Sequence, residues 1–318
     1  MADSHTALQS YLTNLHNSCK KFGLTISNSK TQILVQPPRG SPAEAPNIFL
    51  GDGALDVVSH FRYLGSEIRN DNRLDTEIPV RIARAASAFG KLNQRVWKSH
   101  DLKLMTKLAV YKATVLPILL YASETWCLYR RNIKQLDIFH MKCLRTILRI
   151  NWEDRVTNTE VLRRAQMQGM AAMLMKAQLR WCGHVVRMED DRLPKAVFYS
   201  QLSKGARTVG GQHLRYKDVL KRHITASGIP PDSWEKAAHN RNEWRSTVHS
   251  RVNEFEKARL ETLDSNRLQR KTRPKPTYNY TYNGRGELFC NACNRTFATK
   301  LGFASHIRAH RRRSPTSP

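Results

Sequence analysis

NIKQLDIFHMKCLRTILRI, residues 132–150, sets Ile133, Leu136, Phe139, Cys143, Leu144, Ile147 and Leu148 three or four positions apart, or side by side. That spacing gathers them on one face of an α-helix, so the stretch reads as a helix with a buried apolar stripe. Lys142, Arg145 and Arg149 line up on another side. Such a row is most often the solvated face of a helix, but it can also track a phosphate backbone.

The helical period extends in both directions. Upstream, Ile78, Ile82, Ala85, Ala86, Phe89, Leu92 and Val96 form a second stripe. Asp101 is placed to cap a third helix, in which Leu102, Met105, Ala109 and Leu116 roughly align. The apolar run ATVLPILLYA (113–122) is about half the ~20 residues that span a bilayer. It predicts a buried helix segment kinked at Pro117, and no membrane insertion. Downstream, Met167, Met170, Met173 and Met175, with Leu174, Trp181, Val185 and Met188, read as adaptable core packing. Cys182 and His184 in RWCGHVVRM (180–188) have no second ligand pair nearby, and read as a buried thiol and a hydrogen-bonded histidine. Asp232 and Glu235 have capping-box spacing, and Trp244, Val248, Val252 and Phe255 continue a helix into highly charged sequence.

Strand signals are confined to the first 70 residues and to the far end of the chain. Leu8, Leu12, Leu15 and Cys19 share one helix face, which Gly23 ends. LTISNSKTQILV then alternates about a Ser27-Asn28-Ser29 turn, suggesting two short strands. Beyond a Pro/Gly-rich loop (36–47), the Gly51-Asp52-Gly53 turn and the Phe61–Leu64 run predict a small antiparallel sheet. The expected fold class is α+β, mainly α.

The charge is lopsided: 53 Lys and Arg stand against 26 Asp and Glu in 318 residues, a formal net charge of +27. Self-repulsion on this scale destabilises a compact state unless a polyanion offsets it, and nucleic acid is the polyanion that fits. An evenly solvated basic surface is the plainer alternative. Four of the six cysteines are scattered singly, and no secretory leader opens the chain, so reduced thiols in an intracellular, nuclear setting are expected.

LFCNACNRTFATKLGFASHIRAH (288–310) carries the strongest chemistry. Cys290 and Cys293 enclose two residues, twelve follow, and His306 and His310 enclose three. Two thiolates across a tight β-turn and two imidazoles one helical turn apart converge into a tetrahedral zinc site. Phe297 and Phe303 supply the miniature core, and the metal supplies much of the folding free energy. The segment resembles the two-Cys, two-His zinc-finger family, in which helix positions −1, 3 and 6 read bases. Those positions are Thr299, Gly302 and Ser305 here, none of them an Arg, Asn or Gln able to grip a base edge. Lys300, Arg308 and the Arg311-Arg312-Arg313 tail suit phosphates instead, so weak sequence preference is expected. Serving as a protein contact is the other use of such a finger.

Along the body, KKFGLTISNSKTQIL (20–34), FRYLGSEI (61–68), LLYASETW (119–126), LRTILRINWEDRVTNTEVL (144–162), LRWCGHVVRM (179–188), LRYKDVLKR (214–222) and RNEWR (241–245) occur in order. Together they resemble the carboxy-terminal part of a reverse transcriptase from a non-LTR, LINE-type retrotransposon. The resemblance implies that Gly23, Leu24 and Lys30 sit near nucleotide and primer end, and that Tyr63, Leu64 and Gly65 belong to a primer-gripping hairpin. It implies a thumb-like helical body holding a template–primer duplex of RNA, DNA or their hybrid. The aspartate pair that the family places before the first helix, and that polymerase chemistry needs to hold two metal ions, has no counterpart in the opening MADSHTALQ, so no catalytic residue is assigned and the chain alone is expected to be inactive.

The expected organisation is a partial palm remnant (1–70), a helical thumb-like extension (71–265), a basic linker (266–287), the zinc finger (288–310) and a basic tail (311–318). The expected role is a zinc-dependent, nucleic-acid-binding fragment. Completion of an active RNA-directed DNA polymerase by upstream sequence, and a zinc-finger regulator, are the alternatives.

Overall fold

The computed structural model describes residues 2, 4–36, 45–70, 76–200, 214–274 and 278–313, the last three by backbone alone. The chain divides into two compact units, Met1–Thr262 and Leu263–Pro318. As the helical periods require, the fold is α+β and mainly α.

The larger unit opens with α1 (His5–Lys21), whose N-terminus is capped by the Ser4 hydroxyl. Six short strands follow: β1 (Gln32–Leu34), β2 (Phe49–Leu50), β3 (Gly53–Ala54), β4 (Asp56–Val58), β5 (His60–Tyr63) and β6 (Ser66–Arg69). They do not form the single antiparallel sheet expected. Among the described residues they make three two-stranded pairs, and the β1–β4 pair is parallel. The cause is a small core of its own, in which Ile33, Ile48, Leu50 and Leu55 pack with Leu8 and Leu12 of α1. The long connection between β1 and β4 permits a parallel pairing that a tight turn would forbid. Residues 24–27 form no strand; Asn28–Lys30 closes a 3₁₀ turn, and the Asn28 amide donates to the Leu50 carbonyl at 3.2 Å.

The β5–β6 hairpin turns on Leu64 (φ 47°) and Gly65 (φ 84°), both left-handed. A leucine there is strained, and the turn is held from outside. Tyr121 donates its hydroxyl to the Leu64 carbonyl at 3.0 Å, while Arg81 and Arg84 each donate to the Gly65 carbonyl at 2.8 Å. Arg81 also pairs with Glu77 at 2.6 Å, both almost wholly buried, and Glu77 accepts the Glu67 backbone N–H at 2.9 Å. The charges of this pair are therefore satisfied by hydrogen bonds as well as by each other, the condition under which a buried pair is tolerable.

The helical body comprises α2 (Glu77–Lys91), α3 (Leu104–Val110), α4 (Leu116–Leu119), α5 (Arg130–Leu148), α6 (Asn158–Ala165), α7 (Met170–Val186), α8 (Leu193–Tyr199), α9 (Tyr216–Ala226), α10 (Trp234–His239) and α11 (Arg241–Thr272). The α5 stripe is buried at Leu136, Phe139, Cys143, Leu144 and Ile147. Between α3 and α4 the buried face is Leu108, Tyr111, Val115 and Leu119, whereas Met105 is 58% exposed. The face expected through Leu102, Met105 and Ala109 is thus out of phase. The departure begins within α3, where Leu108 rather than Met105 or Ala109 turns to the core; a π-turn over Tyr111–Val115 then precedes Pro117, whose ring would clash with a straight helix. Lys103, not Asp101, occupies the N-cap position of α3. The Asp232–Glu235 capping box does not form either: Ser233 precedes α10 without a side-chain bond. The Asn240 side chain instead accepts from the Asn242 and Glu243 backbones at the start of α11.

Two apolar cores meet at α7. Met170 and Leu174 belong to the core built on α2–α6, while Ala172, Met175, Leu179, Cys182 and Val186 belong to that built with α9, α10 and α11. Gly183 is what lets α11 close in: a Cβ there would lie 2.2 Å from Nε1 of Trp244, whose indole N–H donates to the Leu179 carbonyl at 2.9 Å. Cys182 is buried as expected, but the expected hydrogen bond of His184 is not formed among the described residues: the imidazole is exposed and lies against the Trp181 ring.

His140 on α5 is fully buried, its Nδ1 2.8 Å from the Tyr111 hydroxyl and its Nε2 3.3 Å from the Gln168 carbonyl. Nε2–H donating to that carbonyl and Nδ1 accepting from the hydroxyl is the neutral tautomer. Burial lowers its pKa from 6.5 to about 4.

Gly183→Ala forces the Cβ into Trp244 and is expected to lower stability by about 1–3 kcal/mol in urea unfolding; an unchanged midpoint would mean that Trp244 moves aside freely. His140 has a folded pKa below its unfolded one, so its contribution is complete above pH ~6.5 and is lost as pH falls towards ~4. Stability should decline across that window, by roughly 3 kcal/mol from this group, and His140→Gln should flatten the decline.

Candidate metal centre and basic cleft

The smaller unit contains β7 (Leu288–Phe289), β8 (Thr296–Phe297) and α12 (Lys300–Arg313). The two strands pair antiparallel, and between them the Asn294 N–H returns to the Cys290 carbonyl at 2.8 Å. Asn294 is left-handed (φ 56°), a conformation asparagine adopts more readily than most residues. This turn presents Cys290 and Cys293 on one side, and α12 presents His306 and His310 one turn apart. Their four ligand atoms lie within 4.8 Å of one another. Cys293 Sγ is 3.0 Å from His306 Nε2 and 3.4 Å from His310 Nε2, and the two Nε2 atoms are 3.0 Å apart.

The geometry fits a tetrahedral ion. Metal–sulfur bonds of ~2.3 Å and metal–nitrogen bonds of ~2.0 Å set donor atoms roughly 3.3–3.8 Å apart, so a slight opening of the cluster suffices. Desolvation in the cluster, then the charges of His310 and Arg295, hold the His306 imidazole below its usual pKa, which favours the neutral ligating form. Cys290, Cys293, His306 and His310 could therefore hold a metal ion. Beneath them Phe303 is buried edge-on to Phe297, at a centroid distance of 5.8 Å, with Leu288 and Ile307 alongside.

Part of the stretch expected as linker belongs to structured elements. α11 runs on to Thr272, Tyr282 bridges to Leu288, and the Tyr280 ring packs on Phe303 at 5.7 Å. The alternation Tyr278-Asn-Tyr-Thr-Tyr282 was the available signal, masked by the Pro and Gly around it. Thr299, the first of the three base-reading positions, accepts the Gly302 N–H on its hydroxyl at 3.1 Å and so caps α12. Gly302 has no side chain to offer, and Ser305 is exposed.

The nucleic-acid contacts expected from sequence lie in different places. Lys30 is exposed before β1, and Tyr63 is exposed at the end of β5. Lys142, Arg145 and Arg149 line an open cleft of about 880 Å³ on α5, joined by Lys134, which the sequence reading did not single out. Two of the three are partly engaged already. Arg145 donates to the Val156 carbonyl and to Asn158 at 2.8 and 2.9 Å, and Arg149 reaches the Ser99 carbonyl at 3.2 Å. In the smaller unit, Lys300 lies 5.4 Å from the centre of the Tyr280 ring and Arg308 reaches the Ala304 carbonyl. The side chains of Arg311, Arg312 and Arg313 lie outside the described residues.

The chain is 28% identical, over 248 residues, to an uncharacterized "transposon-derived protein" of Caenorhabditis elegans, covering 74% of this chain and 87% of that one. It is 32% identical over 148 residues to a "Probable RNA-directed DNA polymerase from transposon BS" of Drosophila melanogaster. That match takes in 44% of this chain but spans only 16% of the polymerase. These similarities support a retrotransposon-derived protein. No family model matches the chain, and no solved structure matches it. No helix among the described residues is long and apolar enough to cross a membrane.

Cobalt(II) titration of the full chain should give a thiolate charge-transfer band saturating at about one ion per chain, the signature of tetrahedral sulfur ligation. Cys290→Ser and His306→Ala should each abolish or blue-shift it while leaving the melting of the larger unit unchanged. A full band in both variants would remove these residues from the site.

Proposed function

We propose that this chain is the zinc-binding, nucleic-acid-binding carboxy-terminal part of a LINE-type retrotransposon reverse transcriptase. The observation that carries the reading is the similarity of 148 residues to a transposon polymerase in a chain of net charge +27. Zinc is the metal the Cys290, Cys293, His306 and His310 donor set suits best, combining two thiolates with two imidazoles. Residues 1–70 act as the end of a palm, the helices of 71–265 as a thumb-like grip, and 288–310 as an auxiliary finger. The partner is template–primer or target nucleic acid, met in the nucleus.

Binding runs through phosphates. Lys142, with Lys134 beside it, faces an open basic cleft, and Lys300 and Arg308 flank the metal cluster on α12. A backbone-led interface of this kind discriminates weakly among sequences. The capping role of Thr299 argues the same for the finger, and against a sequence-reading regulator.

Affinity for a short duplex, followed by fluorescence anisotropy, should fall steeply with salt, log K declining by several units per tenfold rise in salt. Selection from a randomised duplex pool should return no strong consensus. Salt-indifferent binding, or a sharp consensus, would overturn the phosphate-led reading.

A further inference from the structure

Besides the α5 cleft, where Arg145 and Arg149 are already engaged, the larger unit gathers basic side chains between α7 and α11. Lys176 and Arg180 share one cavity of about 370 Å³ with Arg245 and His249. Arg180 and Arg245 also line the next, of about 500 Å³, together with Arg187 and Arg241. The common members make the two cavities one trough. The pairings run in opposite order along the helices, so its walls are antiparallel. Lys176 and Arg180 stand one helical turn apart on one wall, as Arg241 and Arg245 do on the other, roughly 6 Å along each axis; Arg187 is already bonded to the Ala238 carbonyl.

Three observations point to what the trough takes. First, the side chains of Lys176, Arg180, Arg241 and Arg245 make no ion pair or hydrogen bond among the described residues, unlike Arg145 and Arg149 on α5. Second, Glu124, at one end, is the single carboxylate in the lining. Burial, then the charges of Arg180 and Arg245, hold the Lys176 ammonium below its usual pKa, as expected where no anion balances the cluster. Third, Trp181 stands half-buried in the wall beside His184, an aromatic pair against which a base can stack.

We infer that the trough between α7 and α11 is a nucleic-acid-binding site, in which Lys176, Arg180, Arg241 and Arg245 hold successive phosphates of one strand. The inference rests on the nucleic-acid reading proposed above and locates its main grip on the larger unit. Guanidinium groups are well matched to phosphate oxygens, which they bind as a planar fork. A linear polyanion matches a two-walled ladder of cations better than a compact anion does. The fixed point of the trough is the seating of Trp244 over Gly183, which sets the distance between its walls.

The test is anisotropy of a short fluorescein-labelled oligonucleotide, single-stranded or duplexed, with the full chain across a salt series. Arg180→Gln/Arg245→Gln should weaken binding about tenfold and flatten the log K against log salt slope by about 1.5–2, the loss of two phosphate contacts. Arg180→Lys/Arg245→Lys should keep most of the slope. Lys176→Gln should flatten it by about one, and serves if the double variant melts early. If wild type binds with a steep slope and none of these variants changes it, the trough is not the site, and the broader nucleic-acid reading stands. Absence of salt-dependent binding by wild type would sink both. Poly-glutamate competing as well as the oligonucleotide, charge for charge, would make the trough a surface for acidic protein and overturn the assignment.

Discussion

The contact between Gly183 and the Trp244 indole governs how the larger unit is assembled. α7 must serve two cores at once, giving Met170 and Leu174 to one and Leu179, Cys182 and Val186 to the other. A helix buried on so many sides needs a point where a neighbour can approach its backbone directly. Gly183 is that point, and the hydrogen bond from Trp244 to the Leu179 carbonyl holds the approach. The rest of α11, Val248 and Val252 included, follows into place along the second core.

A chain with 53 basic side chains must also manage its own repulsion. Some cations are used up as ties within the fold. Arg81 and Arg84 steady the β5–β6 hairpin, Arg145 pins the loop after α5, and Arg259 forks onto Glu256, which in turn accepts the Gly169 N–H. Others, such as Arg180 and Arg245, are left facing one another across a trough. The division matters for function, because a guanidinium already bonded to a carbonyl has fewer donors left for a phosphate.

The smaller unit works on another principle. Leu288, Phe303 and their neighbours make too small a core to hold such a fold alone, and a bound ion is the natural staple. Two of its features follow from the needs of the fold rather than of a ligand: Asn294 accepts a left-handed turn, and Thr299 spends its hydroxyl on capping α12.

Much of this was legible in the sequence, because periodicity and ligand spacing are local. The α5 stripe, the methionines of α7 and the Cys-Cys-His-His cluster all form from residues near one another along the chain, where 3.6-residue geometry or a tight turn decides the outcome. The failures were non-local. The parallel β1–β4 pairing depends on a core shared with α1, and the face of α3 that turns inward, at Leu108 rather than Met105, depends on the helices packed against it. His184 reads from sequence as a hydrogen-bonded histidine, yet the turn of α7 delivers it to solvent beside the Trp181 ring. The sequence by itself determined the helical body, the Cys-Cys-His-His cluster that could hold a metal ion, and the excess of positive charge. Only the tertiary structure decided which cations are spent and which are free. The hairpin turn takes up Arg81 and Arg84, the loop after α5 takes up Arg145, and the packing of α7 against α11 sets Arg180 beside Arg245 from some sixty positions away, contacts that no local spacing encodes.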